Sequence, residues 1–93
     1  MFRIETTPRF DDELLVMLDF IALDSPNRAL SFYDALIERL NNIPNNPFMY
    51  RKRKTVDDET RELIFKGYTV PFYIDKVENK IFILGIFNQN LWE

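Results

Sequence analysis

Five cations fall within eleven positions of this chain: Arg51-Lys52-Arg53-Lys54 and, after an acidic stretch, Arg61. Side chains of this type hold a backbone phosphate, arginine as a bidentate fork and lysine as a point charge. Cleaving the bound phosphodiester would ask for more. A base must take the 2′-hydroxyl proton, positive charge must face the phosphorane, and a proton must reach the leaving oxygen. Arg61 with Arg53 or Lys54 supplies the charge. The proton transfers are harder to assign, because the chain has no histidine and no cysteine. That removes imidazole bases, thiol nucleophiles, disulfides and the usual zinc and haem ligands together, so neither metal nor cofactor is expected. Glu59 is the candidate base that remains, with Tyr50 and Tyr68 further from suitable, since their ordinary pKa values lie far from neutrality. Asn88, Gln89 and Asn90 can hydrogen-bond a ligand but cannot neutralise it. Tyr50 and Trp92, expected to be exposed, can stack on a base, insert into a protein partner, or cover the end of the core. The plainer alternative for the cations is a solvated loop with one arginine paired to Asp57, Asp58 or Glu59.

Arg61 opens the stretch that must position these groups. Three apolar runs, 61–65, 68–75 and 80–88, are separated by Lys66-Gly67 and by residues 76–79, the pattern of an antiparallel meander. Gly67 can adopt the positive φ of a tight hairpin, and Glu78-Asn79 suits the second turn. The third run is apolar on both faces (Ile81, Ile83 and Phe87 against Phe82, Leu84 and Ile86), as in a strand inside a sheet. In the first run Leu63 and Phe65 share a face with Arg61, which places a cation at the mouth of the sheet. Pro71 falls within an internal strand, where its missing N–H costs a ladder bond unless a bulge accommodates it.

The first half supplies a strand over residues 1–5 and two helices. Thr7 and Ser25 are N-cap residues, each followed by proline at the first helical position, and Asp11, Asp12 and Glu13 suit the first helix's positive end. Phe10, Leu14, Met17, Leu18 and Ile21 make one stripe, ending near Leu23. Ala29, Phe32, Leu36, Leu40 and Ile43 make the next, widened by Tyr33 and Ile37 and stopped at Asn41-Asn42 and Pro44. So short a connection folds the pair back as an αα-hairpin on one face of the sheet. Residues 45–60 carry neither periodicity, and a loop of that length points either to function or to poor order. Its apolar part (Pro47, Phe48, Met49, Tyr50) is expected to anchor it.

Ninety-three residues that are 46% hydrophobic and 15% aromatic give enough core for one domain, residues 1–93. The net charge of −3 divides into −4 over residues 1–50 and +1 over 51–93, so any phosphate contact rests on a local patch rather than long-range steering. With no leader-like start and no long apolar run, a cytoplasmic protein without a membrane partner is expected.

The order of strand, helix hairpin, basic loop and meander resembles the RelE/ParE superfamily of toxins from type II toxin-antitoxin pairs. The segment from Phe20 to Ala29, with Ile21-Ala22 ahead of Ser25-Pro26, is similar to the family's first-helix end. Asn46-Pro47, Arg61-Glu62-Leu63, and Tyr68 with Phe72-Tyr73 resemble its later landmarks. The resemblance implies an α+β fold, a cognate antitoxin as partner, and one of two activities. The ribosome-dependent messenger-RNA endonuclease branch commonly ends its last strand with histidine near arginine or tyrosine, where residues 88–93 of this chain hold neither a good base nor a cation. That departure favours the ParE-like branch, associated with plasmid stabilisation and inhibition of DNA gyrase. An attenuated, non-toxic member is the further alternative.

Overall fold

In the computed structural model, which describes residues 1–53 and 59–88, the two proline-started segments are helices. α1 spans Pro8–Asp24 and α2 spans Pro26–Asn42. Thr7 Oγ1 accepts the Phe10 N–H and Ser25 Oγ accepts the Arg28 N–H, each at 3.2 Å, so both caps do what their positions dictate. Thr7 also donates through Oγ1 to the Ile83 carbonyl at 2.9 Å, which fixes the start of α1 to the sheet. Thr7→Ala is therefore expected to lower stability by about 2 kcal/mol, a cap plus one further hydrogen bond. Thr7→Ser should recover most of it, read as the midpoint of urea unfolding at unchanged slope.

The sheet strands are β1 (Arg3–Thr6), β2 (Arg51–Lys52), β3 (Thr60–Phe65), β4 (Tyr68–Asp75), β5 (Lys80–Ile83) and β6 (Phe87–Asn88). Their order is β1-β5-β4-β3-β2, with β6 pairing β4 beyond the end of β5. β3, β4 and β5 form the expected antiparallel meander. Lys66 and Gly67 both have left-handed φ, 49° and 86°, and close a two-residue hairpin between Phe65 and Tyr68. At the second turn Asp75 Oδ1 accepts the N–H groups of Val77 and Glu78, both at 3.0 Å, and Asn79 takes φ 56°.

Two features differ from the sequence reading. β1 lies parallel to β5, so the sheet is mixed rather than antiparallel throughout; parallel neighbours need a long crossover, and the helix hairpin with the β3–β4 hairpin provides it. The expected third strand is also split. Phe72 pairs with Ile83 and Thr69 with Phe87, so Val70 and Pro71 face three residues, 84–86. This is a bulge. Pro71 sits opposite it and accepts the Leu84 N–H on its carbonyl at 2.9 Å, so the ladder is interrupted where proline has no N–H to give.

Phe10, Leu14, Phe32, Leu36, Leu40 and Ile43 meet Leu63, Phe65, Val70, Phe72, Ile74, Ile81 and Ile83 in one core, with both helices on the same face of the sheet. Phe32 sets its ring edge-on to Phe65 and Tyr68, at 5.3 and 5.6 Å between centroids. Tyr33, expected in the stripe, stays exposed at the edge of α2.

Candidate functional site

The β2–β3 register decides where the cations go. Lys52 stands opposite Arg61 and Arg51 opposite Glu62, and successive residues of a strand point to opposite faces. Arg61 thus shares the helix-side face with Leu63 and Phe65, as its spacing indicated. There Arg61 Nη1 donates to the Tyr50 carbonyl at 2.9 Å, and the guanidinium lies 5.4 Å from the centre of the Phe48 ring. Tyr50 is half-buried and sets its ring edge-on to Phe72 at 5.4 Å. Arg61 in this way ties the second of two 3-10 turns, Pro47–Met49, to the sheet; the first is Ile43–Asn45.

On the helix-free face Glu62 is held between two arginines. Arg51 Nη2 approaches Glu62 Oε1 at 2.6 Å, and Arg53 Nη1 approaches Oε2 at 2.9 Å. The Arg53 and Glu62 side chains are only 16% and 11% exposed, so their attraction is less screened than a surface pair's. Arg53 also covers the Phe87 ring at 5.7 Å. Glu59 Oε2 is 3.3 Å from Lys76 Nζ, and Asn88 is exposed at the end of β6 beside Tyr68. Lys54, Asp57, Asp58, Gln89, Asn90 and Trp92 lie outside the described residues. Arg51 and Arg53 thus meet on one face while Arg61 and Lys52 occupy the other. Among the described residues no group of three carboxylates is arranged to hold a metal ion.

A second feature escaped the sequence reading. α1 is apolar well beyond its core stripe: Leu15, Val16, Phe20 and Leu23 are 60%, 71%, 74% and 87% exposed. Beside them runs a groove of about 560 Å³, lined by Val16, Met17, Phe20, Tyr68, Ile86 and Phe87 and rimmed by Asp12 and Glu13. It continues past Phe20 and Tyr68 to Leu23, Asp24 and Arg28. The signal was present in the sequence as four large apolar residues left over once the stripe was assigned. A helix apolar on most of its circumference is ordinarily buried on most of it.

An αα-hairpin on a mixed sheet of this order is the fold of small proteins from toxin-antitoxin pairs. One similar structure, described as the chromosomal ParDE toxin-antitoxin system from P. aeruginosa, superposes with a TM-score of 0.77 at 20% identity, covering 95% of this chain and 96% of that one. A metal-bound toxin from Helicobacter pylori superposes with a TM-score of 0.57 at 17% identity, covering 99% and 100%. At such identities the likeness establishes the fold alone. Residues 4–90 match the family described as the ParE toxin of the type II toxin-antitoxin system parDE, and the chain belongs to that family. No curated protein sequence matches it.

Proposed function

We propose that this ParE-type toxin acts by binding a protein target, DNA gyrase, rather than by cutting messenger RNA, and that a cognate antitoxin neutralises it. One observation carries the choice: the three arginines that a nuclease would aim at a phosphate have partners within the protein. Arg51 and Arg53 share Glu62, and Arg61 bonds the Tyr50 carbonyl. At Arg51 and Arg53 a phosphate would have to displace the Glu62 carboxylate, and no histidine stands by to move protons. General acid-base assistance of that kind is worth about a hundred- to ten-thousand-fold. The proposed setting is the cytoplasm; among the described residues no helix is long and apolar enough to cross a membrane.

The test pairs two assays of the purified wild-type chain. Supercoiling by DNA gyrase should be inhibited in proportion to added protein, and addition of the small protein encoded beside this gene should restore it. In a translating extract, messenger RNA should stay intact. Cleavage products that need the ribosome would move the chain to the endonuclease branch. Growth unaffected by strong expression of folded protein would make it an attenuated member.

A further inference from the structure

We infer that the cavity between α2 and the β3–β4 turn holds the phosphate of a nucleoside monophosphate, free or at the 5′ end of a nucleic-acid strand, with its base laid against Phe20 and Tyr68. The cavity, of about 350 Å³, is lined by Ile21, Arg28, Ser31, Phe32, Lys66 and Tyr68. Four of the six carry polar side chains, and all four can donate hydrogen bonds: a guanidinium, an ammonium and two hydroxyls. None of the six is a carboxylate. A group that answers two cations and two hydroxyls has negative charge and several acceptor oxygens, as a phosphate does. The Ser31 and Tyr68 hydroxyls and the Lys66 ammonium make no hydrogen bond or ion pair with the described residues. Arg28 pairs with Asp24 at 2.9 Å, but the two side chains are 74% and 76% exposed, so the contact is screened and readily exchanged. Arg39 reaches the same corner: its guanidinium lies 5.8 Å from the centre of the Phe65 ring that Lys66 Nζ approaches at 5.5 Å.

The turn does not ask for this lysine. Both of its residues have positive φ, the two-residue hairpin in which asparagine-glycine is the favoured pair, so a cation stands at the rim at some conformational cost. The arginines of β2 and β3 are engaged within the protein, which leaves this corner the better placed to receive a phosphate. A second cavity of about 500 Å³ adjoins it, sharing Ile21, Arg28 and Tyr68 and adding Phe20 and Leu23. Phe32 holds the Tyr68 ring edge-on at 5.6 Å, and Phe20 is 74% exposed. Aromatic surfaces of this kind stack on a nucleobase. A bare phosphate would leave that apolar length unused, and a nucleoside alone would leave the cations unanswered. The balance of −4 over residues 1–50 opposes a long run of backbone phosphates along the helices, so a single terminal phosphate is the better fit.

Calorimetric titration of the full chain at low salt tests this with four probes: adenosine monophosphate, adenosine, inorganic phosphate, and a short single-stranded oligodeoxynucleotide with and without a 5′-phosphate. Adenosine monophosphate should bind about tenfold or more tighter than adenosine or inorganic phosphate, the preference shrinking as salt rises. Its addition should shift the backbone amide resonances of Ser31, Lys66 and Gly67. Lys66→Asn suits the turn and keeps the fold, yet should lose about tenfold in affinity for the nucleotide while leaving adenosine unchanged. Phe20→Ala should weaken nucleotide and nucleoside alike. Thermal melts confirm folding, and Arg28→Gln takes the place of Lys66→Asn should the latter not fold. Tight binding of the 5′-phosphorylated strand, and not of its unphosphorylated twin, assigns the site to strand ends; binding of the mononucleotide alone assigns it to free nucleotides. Equal affinity for the three small probes overturns the inference, as do undiminished nucleotide binding by the folded cation variant, resonance shifts confined to other parts of the chain, and equal binding of the two oligonucleotides in place of the mononucleotide. None of these outcomes depends on gyrase inhibition or growth suppression, which are read separately.

Discussion

Phe72→Ala is expected to lower the stability of this protein by about 3–5 kcal/mol, the range for truncating a fully enclosed aromatic ring. Phe72 has no exposed surface. It pairs with Arg61 on one side and Ile83 on the other, so it lies at the centre of the β3-β4-β5 meander. Tyr50 packs edge-on against it at 5.4 Å, which makes Phe72 the floor under the segment that Arg61 ties down. Removing the ring opens a cavity bounded by strands on both sides, and paired strands cannot close in to fill it. A chain this size has roughly 5–15 kcal/mol to lose, so the variant should begin to unfold in mild urea. Phe72→Leu keeps most of the volume and should cost about 1.5 kcal/mol or less. Urea unfolding at equal slopes measures both. A loss below about 1 kcal/mol for the alanine variant would mean that the core collapses around the gap, which this sheet geometry argues against.

How far the sequence led follows from which interactions are local. The helices were legible because Thr7 with Pro8 and Ser25 with Pro26 act within one turn, and the stripes through Leu14 and Leu36 repeat at helical spacing. The β3–β4 hairpin was legible because Lys66-Gly67 leaves room for only one turn. Parity along β3 was legible too, and it put Arg61 with Leu63 and Phe65. What parity alone does not say is which face the helices cover. That depends on the crossover, and it turns a cation at the sheet mouth into one lodged under the Pro47–Met49 turn. The bulge at residues 84–86 was illegible for a related reason. An unbroken apolar run carries no mark of where its pairing slips by one, although Pro71 on the facing strand signalled that the ladder had to yield somewhere. The gathering of Arg51 and Arg53 on Glu62 depended on the register of a two-residue strand, which no periodicity reveals. Leu15, Val16, Phe20 and Leu23 are a different case: their surplus was visible, and its meaning lay in a surface rather than a core.

Glu62→Ala should be the most damaging single change on the helix-free face, at about 2–3 kcal/mol. The carboxylate accepts from Arg51 at 2.6 Å and from Arg53 at 2.9 Å. Removing it takes from both guanidinium groups the carboxylate they share, and breaking a pair from one side costs more than the pair contributes. The two arginines do not share that loss evenly. Arg53 is 16% exposed and constrained over Phe87, whereas Arg51 is 62% exposed and can turn into water. Arg51→Ala should therefore cost less than about 1 kcal/mol and fade in high salt, while the Glu62→Ala loss should largely persist. Replacing both partners with apolar residues of similar size, Arg53→Met with Glu62→Leu, should return the stability to within about 1 kcal/mol of wild type. The same carboxylate bears on activity. Glu62→Gln keeps the shape and removes the negative charge that the two arginines share, so it should bind a single-stranded RNA oligonucleotide more tightly than the wild-type chain, with a steeper dependence on salt. If Glu62→Ala proved no more harmful than Arg51→Ala, and Glu62→Gln bound RNA no better than wild type, the carboxylate would not be what restrains these cations, and the case against phosphate chemistry would lose its structural half.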